Sequence, residues 1–200
     1  MPQQILVVHG GEVFKTYEEY LDYLKNYKVD LEKLKHGGWK DYLQKELSDN
    51  YEVIFPQMEN YHNAKYSEWR IWIDKFLPFL KDNVILVGAS LGGIFLAKYL
   101  SENNFPVKIK SVLLIAAPFN DGYLGDFALP NSLKKMEEQA GKIFLYHSKD
   151  DPVVPFTDME KYAQKLPGAE KVIFEDKGHF NSKEFPEFIE KIKDLTNYHE

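Results

Sequence analysis

The stretch Val84-Ile85-Leu86-Val87-Gly88-Ala89-Ser90-Leu91-Gly92-Gly93 decides how this chain folds. Its first four residues form an unbroken aliphatic run, the pattern of a strand buried on both faces. Beyond Ser90, apolar residues recur at Ile94, Leu96, Ala97 and Leu100, as on a buried helix. Between strand and helix lies a G-x-S-x-G pentapeptide, residues 88–92. The pentapeptide alone is common by chance; its placement carries the information. A sharp strand-to-helix turn pushes a serine hydroxyl out of the backbone and sets it beside the free N–H groups of the helix start. Small residues at the glycine positions let strand and helix approach closely. A glycine-rich turn with an idle serine would look the same, so the rest of the chain must supply partners.

Outward from this turn, short apolar runs alternate with helical patterns. Candidate strands are Ile5–Val8, Tyr51–Phe55, Val84–Val87, Ser111–Ile115, Lys142–Tyr146 and Lys171–Phe174. Helices are expected near Trp39–Leu47, Ser67–Leu80, Leu91–Asn103, Phe156–Leu166 and Lys183–Leu195. The alternation implies an α/β protein, a three-layer α/β/α sandwich around a mostly parallel sheet of about six strands. Two segments exceed plain alternation. Residues at about 12–38 follow the first strand and hold a helical pattern from Tyr17 to Leu24, longer than an ordinary connection. They read as a helical insertion, either a surface element packed by its own tyrosines or a lid over a site. Residues 116–131 form a short cap-like loop that carries Phe119, Tyr123 and Phe127, candidate substrate-binding residues.

A serine hydroxyl needs a base to take its proton, and the base needs an orienting partner. In a parallel sheet these belong on loops at the carboxyl ends of strands. After Tyr146 comes His147-Ser148-Lys149-Asp150-Asp151-Pro152, and after Phe174 comes Glu175-Asp176-Lys177-Gly178-His179. Each loop has an ordinary explanation in isolation, a turn with a helix start or a surface histidine. Together, Ser90, Asp151 and His179 follow three separate strands and occur in the order Ser…Asp…His, that of a hydrolase triad. The first strand ends in His9-Gly10-Gly11. Its N–H groups, Gly11 first and Gly10 next, can join the N–H of Leu91 in an oxyanion hole. His9 reads as a support for that turn.

Composition bounds the alternatives. The 200 residues suit one domain. A net charge of -6, from 31 acidic and 25 basic residues, argues against a nucleic-acid partner. No apolar run reaches the roughly 20 residues of a membrane span, and the start of the chain shows no basic or cleavable leader. The absence of cysteine excludes disulfides and thiolate chemistry, and a cytoplasmic location is expected. His36, His62, His147 and His199 lack zinc-ligand spacing, so no metal is expected, and no phosphate-cradling motif occurs.

These motifs make the chain resemble the α/β-hydrolase superfamily. Within it, the chain is similar to the small single-domain serine hydrolases related to retinoblastoma-binding protein 9 and to the bacterial YdeN-like proteins. The resemblance rests on His9-Gly10, on Trp39 with Leu43 and Leu47, on Gly88 to Gly93, on Asp150-Asp151-Pro152-Val153-Val154-Pro155, and on Gly178-His179-Phe180. It implies a single α/β-hydrolase domain over 1–200. The family pattern Asp-x-x-hydrophobic-Pro falls on Asp151, with Asp150 as the fallback. The expected activity is hydrolysis of a carboxylic ester, or of a thioester or small amide, through an acyl-enzyme and without a cofactor. Its partner would be a small acyl substrate. The rival reading is a non-catalytic binding protein on the same scaffold, with residues 12–38 as the contact for a protein partner.

Overall fold

Six apolar runs pair into one wholly parallel sheet in the computed structural model, which describes residues 2–31, 39–47, 50–119, 123–182 and 184–197. The strands are β1 (Gln3–Val8), β2 (Tyr51–Ile54), β3 (Val84–Ala89), β4 (Ile109–Ile115), β5 (Ala140–Ser148) and β6 (Glu170–Phe174), in spatial order β2-β1-β3-β4-β5-β6. The described α-helices are α1 (Tyr17–Asn26), α2 (Trp39–Glu46), α3 (Tyr66–Asp74), α4 (Leu91–Glu102), α5 (Lys134–Gln139), α6 (Phe156–Lys165) and α7 (Pro186–Asn197).

Strand side chains alternate between two cores, as a pleated strand dictates. Leu6, Val8, Leu86, Val112, Leu114 and Leu145 pack with α3, α4 and α6. Ile5, Val7, Ile85, Val87, Leu113 and Phe144 pack with α2 and α7 on the other face. Both faces are covered, and the three-layer α/β/α architecture is as the alternation implies. Among the described residues, no helix is long and apolar enough to cross a membrane.

The strand order reverses once. The chain leaves β1 for β2 on one flank, then crosses back to β3 on the other. Loops leaving β1 and β3 therefore diverge and open a crevice at their carboxyl ends. Register sets Val8 beside Gly88, so His9-Gly10-Gly11 emerges next to Ala89-Ser90. Helix α4 crosses this pair in close contact. A Cβ on Gly92 would lie 2.1 Å from the Val8 carbonyl oxygen and 2.6 Å from that of His9. A Cβ on Gly88 would meet the Gly92 carbonyl at 2.5 Å.

The structure departs from the sequence expectation in places. The helix expected over Ser67–Leu80 ends at Asp74, and a 3-10 turn follows at Leu77–Phe79. Pro78 has no N–H to continue the ladder and its ring crowds the preceding turn. The six-residue α5 had no clear periodic signal. Strand β5 runs on to Ser148, which draws His147 into the sheet. In the 12–38 segment, α1 is capped by Thr16, whose hydroxyl accepts from the Glu19 N–H at 3.2 Å, and residues 32–38 lie outside the described residues. No residue of α1 is buried. Its Tyr20 and Tyr23 pack on Phe14 at ring distances of 5.7 and 5.1 Å.

Gly92→Ala should lower stability by roughly 1–3 kcal/mol, the range for forcing volume into a packed interior. Thermal denaturation reads this directly. An unchanged midpoint would mean that α4 can move off β1 freely.

Candidate active site

Backbone geometry comes first. Ser90 sits between β3 and α4 at φ 52° and ψ -123°, a region that L-residues avoid. Its N–H donates to the Ile115 carbonyl at 2.8 Å and its carbonyl accepts from Gly93 N–H at 2.8 Å, so the turn is held from both sides. The side chain then projects from the sheet edge into the crevice.

Three of the residues expected from sequence meet here. His179 Nε2 lies 2.9 Å from Ser90 Oγ, and His179 Nδ1 lies 2.8 Å from Asp151 Oδ2. A carboxylate only accepts, so Nδ1 carries the hydrogen and Nε2 presents a lone pair to the serine hydroxyl. Asp151 Oδ1 accepts from the N–H groups of Val153 and Val154 at 2.8 and 3.0 Å. The Asp151 side chain is wholly shut off from solvent, and that of His179 is 11% exposed. The imidazole is thus reached only through the cleft.

Asp150, the fallback acid, has a different position. Its Oδ1 accepts from Ser148 Oγ and from Gly178 N–H, the latter at 2.9 Å. These bonds, with Ser148 Oγ first, hold its carboxyl below the usual range. Lys177 N–H donates to the same Ser148 hydroxyl at 2.9 Å. Asp150 therefore braces the loop that carries His179.

Sequence reasoning treated His147 only as a histidine without zinc spacing. It is 1% exposed, and its Nε2–H donates to the Val154 carbonyl at 2.9 Å. The same nitrogen lies 3.7 Å from Asp151 Oδ2. It anchors the turn whose N–H groups hold the Asp151 carboxylate. The signal was weak because the expected strand stopped one residue short of it.

On the β1 side, His9 Nδ1–H donates to the Gly10 carbonyl at 2.6 Å, and Nε2 accepts from Met58 N–H at 2.9 Å. Its ring packs edge-on to Tyr61 and Trp69. The Gly10-Gly11 turn is consequently fixed against the serine. A Cβ on Gly10 would lie 3.1 Å from Ser90 Cβ, and one on Gly11 would lie 3.2 Å from Leu91 Cδ2.

The cleft around Ser90 encloses about 370 Å³, with Gly10, Gly11, Glu12, Trp39, Phe180 and Phe185 among its lining residues. The three candidate substrate residues are not among them. Phe127 is fully buried in the core against Tyr66 and Trp69. Phe119 packs edge-on to Tyr162 at 4.9 Å, because its N–H is held by Asp158 at 2.8 Å and Pro118 by the Tyr162 hydroxyl at 2.9 Å. Tyr123 is exposed with Lys15 Nζ 4.1 Å above its ring. Ala116 lines the cleft, while polar anchors that apolar periodicity does not reveal hold Phe119 against Tyr162. Asp126 accepts from Tyr66 N–H at 3.0 Å and Ser67 N–H at 3.3 Å, capping α3. Residues 120–122 of this loop lie outside the described residues.

Two outcomes follow. Ser90→Gly and Ser90→Ala both remove the hydroxyl and differ only at Cβ. A non-glycine residue in so disfavoured a conformation costs on the order of 1–3 kcal/mol. Ser90→Gly should therefore melt higher than Ser90→Ala by a few degrees, and equal midpoints would mean the turn is unstrained. Asp150→Asn should lower turnover while Ser90 and His179 stay intact. Its carboxylate has a depressed folded pKa, so its stabilisation is present above the ordinary value of about 3.9 and is lost as pH falls through the folded value. In acid titrations the variant and the parent should converge in stability below about pH 4.

A family model described as Serine hydrolase matches residues 31–196. Among curated proteins, Serine hydrolase RBBP9 of Rattus norvegicus is 26% identical over 174 residues, which cover 79% of this chain and 86% of that protein. Among solved structures, the ydeN gene product of B. subtilis superposes with a TM-score of 0.77 at 19% identity, covering 97% of this chain and 98% of that one. A putative yden-like hydrolase from Pectobacterium atrosepticum superposes with a TM-score of 0.69 at 16% identity, covering 97% and 91%. The family model spans well over half of the sequence: the chain belongs to the Serine hydrolase family.

Proposed function

We propose that this serine hydrolase cleaves carboxylic esters, with Ser90 as nucleophile, His179 as general base and acid, and Asp151 as the orienting carboxylate. The observation that carries the reading is the unbroken relay from Ser90 Oγ to His179 Nε2 at 2.9 Å and from His179 Nδ1 to Asp151 Oδ2 at 2.8 Å. Ser90 Oγ attacks the acyl carbon as its proton passes to His179 Nε2. The Asp151 carboxylate supports the imidazolium that forms. The N–H groups of Leu91 and Gly11, with Gly10 as the alternative to Gly11, stabilise the tetrahedral oxyanion. Collapse breaks the ester C–O bond, and His179 returns the proton to the leaving alcohol. Water, activated by the same imidazole, then releases the acid and restores Ser90.

Besides the ester and water, these steps use only side chains and backbone N–H groups of the chain. The cleft size and its aromatic wall at Trp39, Phe180 and Phe185 suit a small acyl group. A non-catalytic binder on the same scaffold would have no use for a tautomer-fixed imidazole aimed at a strained serine.

Ser90→Ala and His179→Ala should each reduce hydrolysis of short-chain nitrophenyl esters by several orders of magnitude, and Asp151→Asn by about 10⁴. Far-ultraviolet circular dichroism would check that the variants fold. A fluorophosphonate probe should label the parent at Ser90 and leave Ser90→Ala unlabelled. Unlabelled parent protein, or undiminished turnover in Ser90→Ala, would refute the assignment.

A further inference from the structure

Glu12 stands at the mouth of the Ser90 cleft, directly after the Gly10-Gly11 turn. Its backbone is clamped on both sides. The N–H donates to the Tyr61 carbonyl at 2.7 Å, and the carbonyl accepts from Ala64 N–H at 2.8 Å. The side chain therefore leaves from a fixed point beside the reacting serine. Among the described residues that line the cleft, none is Lys or Arg, and Glu12 is the single acidic one. Its electrostatic partners are His62 and His179, and burial by the surrounding protein raises its pKa.

Three described lysines on the segments that carry Glu12, His179 and Asp151 have partners of their own. Lys15 Nζ sits over the Tyr123 ring at 4.1 Å, Lys177 pairs with Glu187 at 2.7 Å, and Lys149 pairs with Glu175 at 2.7 Å. Behind the imidazole lies a second carboxylate, that of Asp151. Among the described residues that line the cleft the formal charge is thus negative, and Trp39 is an aromatic member of the same lining. A carboxylate together with an aromatic ring is a combination that attracts ammonium groups.

We infer that Glu12 forms a cation-selecting subsite at the mouth of the cleft, so that esters bearing an ammonium group are turned over in preference to isosteric neutral esters. This rests on the esterase reading above and names the substrate class of that site. An ammonium carried on either side of the ester bond gains from the Glu12 carboxylate, and an anionic substituent in its place is repelled. Part of the mouth is solvated, so the gain is that of a screened ion pair.

The test uses two pairs of carbon–nitrogen isosteres with the full chain at pH 8. Choline butyrate is compared with 3,3-dimethylbutyl butyrate, and ethyl 4-(trimethylammonio)butyrate with ethyl 5,5-dimethylhexanoate. In at least one pair, the cationic ester should show a kcat/KM about three- to tenfold higher at low ionic strength, with the ratio falling towards one in 0.5 M salt. Glu12→Gln should bring that ratio close to one, and Glu12→Lys should invert it. Ratios that are equal in the parent and both variants would overturn the subsite. Labelling of Ser90 by a fluorophosphonate separates the two failures. If the parent labels while the ratios ignore residue 12, only the subsite falls. If the parent neither labels nor hydrolyses any of the four esters, the esterase reading falls and the subsite with it.

Discussion

The contact on which the rest of the site depends is the closure of α4 onto the β1–β3 pair. Gly92 has no space for a Cβ because the carbonyl oxygens of Val8 and His9 fill it. That approach draws the start of α4 across the end of β1, and the chain can make the transition from β3 only by bending sharply at Ser90. The positive φ of Ser90 is a consequence of this closure. So is the proximity of the Gly10-Gly11 turn to Leu91, since register already holds Val8 beside Gly88. A single steric constraint, set by missing side-chain atoms, thereby aims the hydroxyl and brings the Gly10-Gly11 turn beside it.

Around that rigid centre the loops are held by polar clamps. His9 bridges Gly10 and Met58, His147 bridges β5 to Val154, and Asp150 ties Ser148 to Gly178. Each spans two segments remote in sequence or holds a tight turn. The His147 clamp satisfies a buried carbonyl that would otherwise be left unpaired, at a penalty of about 1–3 kcal/mol. The clamps explain how a site made of loops can keep two hydrogen bonds in line between three separate strand ends. Pre-organisation of this kind matters because a misplaced base loses the advantage of proximity.

The sheet, its helices and the Ser90–Asp151–His179 grouping were legible because each leaves a local trace. Aliphatic runs mark buried strands, glycines mark the close approach, and chain order marks which strand ends carry the polar residues. The walls of the cleft were not legible. Phe119, Tyr123 and Phe127 lie on a loop of the right origin, yet bonds to Asp158 and Tyr162 and the capping of α3 by Asp126 fix Phe119 and Phe127 in places outside the cleft lining. These anchors join residues tens of positions apart and have no periodicity. Trp39, Phe180 and Phe185, which line the cleft, are spaced as core residues and look like nothing else. Asp150 and Asp151 could be separated by family pattern alone; the fold shows what each one holds.

This division between what is legible and what is not has a physical origin. The proposed reaction centre is specified by backbone sterics and by a few hydrogen bonds of fixed geometry, and both restrict residue type position by position. Specificity depends on which side chains happen to face a cleft whose walls come from the loop after β1, the start of α2 and the loop before α7. Many residues could occupy those places without disturbing the sheet. Glu12 illustrates the difference: its backbone is pinned by two hydrogen bonds, and its exposed side chain lines the cleft. A position with a fixed origin and an exposed side chain is where a rigid hydrolase scaffold can change the charge it admits while the geometry of Ser90, His179 and Asp151 stays the same.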